Sequence, residues 1–140
     1  MIVRGRGISK GTGSGPVLIS AAPISFLSGV DPDTGIIVEI GHPLQGKSIS
    51  GTVLVFPYGK GSTVGSYIIY ALVQNGHAPA AIINREAEPI IAVGAIISGV
   101  PMIDRVDIDN PGFRDGIVAT VNGDTGELEY EPEAVSGPPA

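Results

Sequence analysis

Between Val53 and Asn75 the chain reads VLVFPYGKGSTVGSYIIYALVQN, and Ser62 sits there close behind Gly59, Lys60 and Gly61. A serine hydroxyl is almost never ionised near neutral pH. To act as a base, Ser62 needs a cation, a helix N-terminus, or both beside it. Lys60 is such a cation, and a helix starting just after Ser62 would add amide N–H groups and the positive end of its dipole. Gly59 and Gly61 would then bring bare backbone up to an anionic ligand. A serine at a helix start is more commonly a cap, with the glycines merely closing the turn. Taken alone, the local residues favour that cap. Two known motifs are excluded: a phosphate-binding P-loop needs Gly-Lys-Ser/Thr after an earlier glycine, but Lys60 precedes Gly61. A hydrolase elbow needs Gly-x-Ser-x-Gly, but Gly61 adjoins Ser62.

The remaining chemistry-bearing residues are few. Arg85, with Glu86 and Glu88 nearby, could clamp a carboxylate or phosphate through its guanidinium fork, or form a surface ion pair. His42 and His77 are the only histidines, lack partners at metal-ligand spacing, and read as unrelated surface residues. Asp104, Asp107 and Asp109 read as acids of a solvated strand end and turn rather than a cation site. Two stretches imitate calcium loops, beginning at Asp31 and Asp107. Their twelfth positions are His42 and Val118, where a bidentate glutamate is required. No metal site is expected within the chain.

The elements that must carry these residues follow from pattern. Val53–Phe56 is a short apolar run closed by Pro57, which cannot donate to a sheet ladder. Val64, Ile68 and Leu72, with Ile69 and Val73 beside them, recur at helical spacing up to Asn75-Gly76. Pro79–Asn84 predicts a buried strand and Val100–Val106 another; Pro89–Ser98 could be helix or strand, and proline in a first turn with Gly99 as a stop favours helix. Ile2–Ile8 reads as a twisted strand with Arg4 and Arg6 on one solvated face. Gly11–Gly15 reads as a loop, Gly15–Ile19 as a strand, Ser20–Val30 as loop or short helix, and Ile36–Ile40 as a strand. Ile117–Val121 and Glu127–Tyr130 predict a hairpin across Asn122–Gly126. The βαβαβ order of Val53–Val106 implies a small parallel sheet with right-handed crossovers. The flanking strands would close around it as a β-barrel-like layer, an α/β domain. Ligands in such sheets sit at the carboxyl ends of the strands, where Tyr58–Ser62 and Asn84–Glu86 emerge.

At 140 residues the chain suits one domain, here residues 1–132, followed by a disordered tail over 133–140. Only 16% of residues are charged and mean hydropathy is +0.32, so some apolar surface is expected to be covered by a partner. No apolar run is long enough to span a bilayer. The net charge of −6 and scattered Lys and Arg argue against nucleic acid. The absence of cysteine excludes disulfides and sulfur ligands from this chain. The N-terminus lacks a signal-peptide core, which predicts a cytoplasmic address.

The run Gly41-His42-Pro43-Leu44-Gln45-Gly46-Lys47-Ser48-Ile49-Ser50-Gly51, continuing through Val53–Ser62, resembles the small subunit of the aconitase X family. So do Asn84-Arg85-Glu86-Ala87-Glu88-Pro89-Ile90 and Gly99-Val100-Pro101. The resemblance covers residues 1–132 and implies a swivelling β/β/α domain. It implies a hydro-lyase subunit, active only with a large subunit that carries an iron–sulfur cluster of the [4Fe-4S] type. In the branch it resembles most, (R)-5-phosphomevalonate is dehydrated to trans-anhydromevalonate 5-phosphate in an archaeal mevalonate pathway for isoprenoids. Ser62 matches the serine that takes the proton α to the carboxylate. Gly59, Lys60, Gly61 and Arg85 are the expected substrate-binding residues, Lys60 and Arg85 on chemical grounds. Relatives that dehydrate cis-3-hydroxyproline are an alternative. There the domain is commonly fused to the large one, whereas this chain starts at Met1 and stands alone, which favours the phosphomevalonate branch. A phosphohistidine carrier domain shares the swivelling fold, but Gly61–Tyr67 contains no histidine. A non-catalytic partner-binding subunit, with Ser62 only a cap, is the third alternative.

Overall fold

The computed structural model describes residues 1–60 and 64–131. Among the described residues, eight strands form one sheet in the order β1-β8-β7-β3-β4-β5-β6-β2, with three helices. The parallel part runs from β3 (Thr12–Ile19) through β4 (Val53–Phe56) and β5 (Ala81–Asn84) to β6 (Met102–Asp104). The crossovers are α2 (Gly65–Gln74) and α3 (Pro89–Ser98), which pack on each other over one face. The other face is covered by the antiparallel hairpin of β7 (Val118–Asn122) and β8 (Glu127–Tyr130).

The N-terminal strand closes the structure. β1 (Ile2–Arg4) pairs with β8 at one end of the strand order, and β2 (Arg6–Ser9) pairs with β6 at the other. A single stretch interrupted at Gly5 therefore joins the two sheet edges, giving the expected barrel-like layer. A Cβ on Gly5 would run into the Asp104 carbonyl oxygen and lie 2.9 Å from Val106 Cβ.

The central strands are apolar up to their carboxyl ends, where β5 closes on Asn84 and β6 on Asp104, because both faces are covered. Leu54, Phe56, Ile82 and Met102 face the core beneath the helices. Val53, Val55, Ile83 and Ile103 face the core inside the hairpin half. α3 has the bounds its sequence predicts. The Glu88 side chain accepts the Ile91 amide at 2.7 Å, Pro89 opens the first turn, and Gly99 ends the helix at φ +71°. α2 ends as expected at Gly76, φ +75°. Ile69 and Leu72 are its fully buried residues, and Val64 occupies its N-cap position.

Two expectations fail. Gly11–Gly15 is largely strand, since β3 begins at Thr12 and pairs with β7 before Val17–Ile19 pairs with β4. Its glycines serve close packing: a Cβ on Gly13 or Gly15 would strike the carbonyl oxygen of Ala80 or Gly51. Ile36–Ile40 makes only isolated bridges, Ile37 to Val30 and Ile36 to Ser48. Ile37 is buried there while Ile40 is 90% exposed, so the segment is anchored at Ile37 without joining the sheet. The ambiguous Ser20–Val30 stretch contains a short helix, α1 (Phe26–Gly29). The tail expected over 133–140 lies outside the described residues.

Candidate functional site at the carboxyl edge of the parallel sheet

The carboxyl ends of β3, β4 and β5 open into a cleft of about 290 Å³, lined among others by Ser20, Pro57, Asn84, Arg85, Val106 and Ile108. The exit turns of β4 and β5 are tied together, since the Arg85 amide donates to the Pro57 carbonyl at 3.0 Å. Arg85 is exposed, and among the described residues its side chain has no hydrogen-bonded or ion-paired partner. Its neighbours are engaged elsewhere. Glu86 receives the Arg105 fork at 2.7 and 3.0 Å, and Glu88 caps α3.

The expected cluster is brought together only in part. Gly61 and Ser62 lie outside the described residues; in sequence they fall between Lys60 and the N-cap position of α2 at Val64. Gly59 is buried, and an added Cβ would overlap Ile91 of α3, which gives this glycine a packing reason. The turn around it is pinned to Ile24, whose carbonyl accepts the Lys60 amide at 3.0 Å. The Lys60 ammonium stands 3.6 Å from a Glu39 carboxylate oxygen, both partly exposed. Neither Gly59 nor Lys60 lines the cleft; they continue from its Pro57 corner.

Several readings are corrected. His42 is buried, not a surface residue: its Nδ1 accepts the Leu44 amide at 3.0 Å and its Nε2 lies 3.1 Å from the Pro23 carbonyl oxygen, so Nε2 carries the donated proton. Nδ1 thus closes the 42–44 turn, and Nε2 holds it against the segment leading into α1. Arg6 is not merely solvated. Its guanidinium forks onto Asp104 at 2.9 and 2.7 Å, and Asp104 is fully buried. Asp104 is thereby separated in role from Asp107, which accepts the Asp109 amide in an ordinary turn. Burial pushes the Asp104 carboxyl pKa up, but the Arg6 fork and the Ala87 amide outweigh it, and the net direction is down. Glu86 is also held below the usual carboxylate range, chiefly by the Arg105 hydrogen bond.

Sequence reasoning gave Asn84 no role of its own and read Asp104 as solvated, whereas both are buried. Asn84 is 1% exposed at the cleft. Its Nδ2 donates to the Phe56 and Ile83 carbonyls at 3.0 and 3.3 Å, while its Oδ1 has no partner among the described residues. A charged residue ending the apolar run from Val100 was the signal for Asp104.

A parallel sheet with both crossovers on one face, closed by an N-terminal strand and a hairpin, defines a swivelling β/β/α domain with a cleft at the strand ends. Residues 2–130 match the aconitase X swivel domain, and the chain belongs to that family. It is 57% identical to the phosphomevalonate dehydratase small subunit of Methanocella arvoryzae, over 92% of this chain and 98% of that one. It is 54% identical to the protein of that name from Pyrococcus abyssi, again over 92% and 98%. The structure titled aconitase X (holo-form) from Thermococcus kodakaraensis superposes with a TM-score of 0.89 at 50% identity, covering 94% of this chain and 98% of that one. A UPF0107 protein solved by solution NMR gives 0.80 at 41% identity, over 94% and 99%. No helix among the described residues is long and apolar enough to cross a membrane.

Proposed function

We propose that this chain is the small subunit of a dehydratase that converts (R)-5-phosphomevalonate to trans-anhydromevalonate 5-phosphate. The observation that carries the reading is identity above one half, over nearly the whole length of each partner, to proteins bearing that subunit's name. The Ser62 oxygen takes a proton from the carbon next to the substrate carboxylate. The C–H electron pair forms the double bond to the neighbouring carbon, whose hydroxyl departs with the C–O pair; the proton held by Ser62 is then given up to that hydroxide, which leaves as water and restores the Ser62 oxyanion. Lys60 favours the oxyanion form of Ser62, and Gly59, just ahead of it, packs against Ile91 of α3. Arg85 takes an anionic group of the substrate. In support, it is an exposed guanidinium at the cleft whose neighbouring carboxylates are already engaged.

The chain has no cysteine, and the described residues gather no three metal-ligating side chains, so its own donor set does not fit an iron–sulfur cluster. The cluster belongs to the large subunit in this reading, and no step assigned here runs through it. The relatives' designation as small subunits supports that partner. A cytoplasmic location is part of the same proposal.

The test is the purified complex with its large subunit, assayed on (R)-5-phosphomevalonate. Ser62→Ala is expected to retain the partner and lower turnover by about 10²–10⁴-fold, the usual worth of a positioned base. A loss of only a few-fold would overturn the base role of Ser62.

A further inference from the structure

Asp104 takes part in none of the steps above, yet it is a fully buried carboxylate at the end of a strand otherwise made of Met102 and Ile103. An apolar side chain would fill that place without the cost of desolvating a charge. It would, however, leave an N–H without an acceptor. Asp104 Oδ2 accepts both Arg6 Nη2 at 2.7 Å and the Ala87 amide at 2.8 Å, while Oδ1 accepts Arg6 Nε at 2.9 Å. The Arg105 amide donates to the Arg85 carbonyl at 3.1 Å, and the Arg105 side chain forks onto Glu86. Arg105 holds φ +56°, the only left-handed non-glycine among the described residues. The turn carrying Arg85 is therefore held at its own amide by Pro57, at its carbonyl by Arg105, and two residues on by Asp104. Arg6 and Arg105 are engaged with Asp104 and Glu86, which leaves Arg85 as the guanidinium of this edge with no carboxylate partner among the described residues.

We propose that Asp104, locked by Arg6, is a positioning residue that holds the 85–88 turn so that the Arg85 guanidinium is presented to an anionic group of the substrate. The inference rests on the substrate role of Arg85 proposed above. A flexible arginine loses entropy on binding, and fixing its backbone beforehand removes part of that cost. Because Arg6 comes from the strand that closes the barrel, closure of the fold and order at the cleft are coupled.

Asp104→Asn tests this, with Arg6→Lys as a second variant that replaces the fork by a point charge at a half-exposed position. In the active complex, Asp104→Asn is expected to raise KM for (R)-5-phosphomevalonate about tenfold, with kcat changed by less than about threefold. Arg6→Lys is expected to move KM the same way by less. Arg85→Gln should raise KM by as much as Asp104→Asn, and the double variant should be no worse than Arg85→Gln alone, because both act through one guanidinium. Additive effects, or equal losses in kcat and KM terms, would overturn the positioning role. Hydrogen exchange on the isolated chain reads the clamp without turnover. The Ala87 amide is expected to exchange at least about tenfold faster in Asp104→Asn, and an unchanged rate overturns the clamp. A wild-type complex inert towards this substrate, with Ala87 exchange accelerated as expected, would sink the proposed substrate and leave the clamp standing.

Discussion

Gly59→Ala separates two reasons for a glycine ahead of Ser62: close approach to a ligand, or close approach to α3. The new Cβ would lie 2.8 Å from Ile91 Cδ1, closer still to Cγ1, and 3.4 Å from Glu88 Oε1. Unstrained carbon atoms sit about 3.5–4.0 Å apart, so more than roughly 1 Å must be found. Ile91 is 2% exposed in the core beneath the helices, and a β-branched residue in a helix has one favoured rotamer, so it cannot swing clear. Overpacking of this kind costs about 1–3 kcal/mol. With a urea slope of about 1–3 kcal/mol/M, the midpoint should fall by about 1 M. Ile91→Ala alone should cost about 2–5 kcal/mol through its cavity. In the double variant the new methyl enters that cavity, so the combined loss should fall short of the sum by about 1 kcal/mol or more. Urea unfolding of the four proteins measures the cycle. If Gly59→Ala shifts stability by less than about 0.5 kcal/mol and the cycle is additive, packing is not the reason for the glycine. A turnover defect without a stability defect would then point to ligand approach.

Acid should unfold the protein partly through the cluster at the end of β6. Asp104 and Glu86 both have folded pKa values below their unfolded ones, so their stabilisation is present above roughly pH 4 and is lost as pH falls through the depressed values. Urea midpoints measured from pH 7 downward should therefore drop less steeply in Asp104→Asn than in the wild type, and an identical acid limb would contradict the linkage. Gly13→Ala should cost about 3 kcal/mol or more, because the added Cβ meets the Ala80 backbone carbonyl, which cannot rotate aside. Gly41→Ala, with φ +81° but open space around it, should cost only about 1 kcal/mol.

The sheet's central strands and both long helices were legible because their signals are local. Apolar runs of strand length, helical spacing in Val64–Val73, and the Pro89 and Gly99 boundary signals depend on neighbours a few residues away. The motif around Arg85 marked the carboxyl edge in the same way, while Ser62 lies outside the described residues. The glycines of Gly11–Gly15 misled because glycine signals a turn and a close backbone approach equally well, and the crowding Ala80 and Gly51 carbonyls come from distant segments. Arg6 and Asp104 are 98 residues apart, His42 and Pro23 are 19, and no local pattern relates them.

By itself the sequence determined the central strands, both long helices, the family resemblance, and the turn from which a guanidinium emerges. Only the tertiary structure decided which charges neutralise one another. An ion pair is set by distances of a few ångströms in space, and barrel closure by the N-terminal strand is what brings Arg6 to Asp104 and leaves Arg85 to face the cleft.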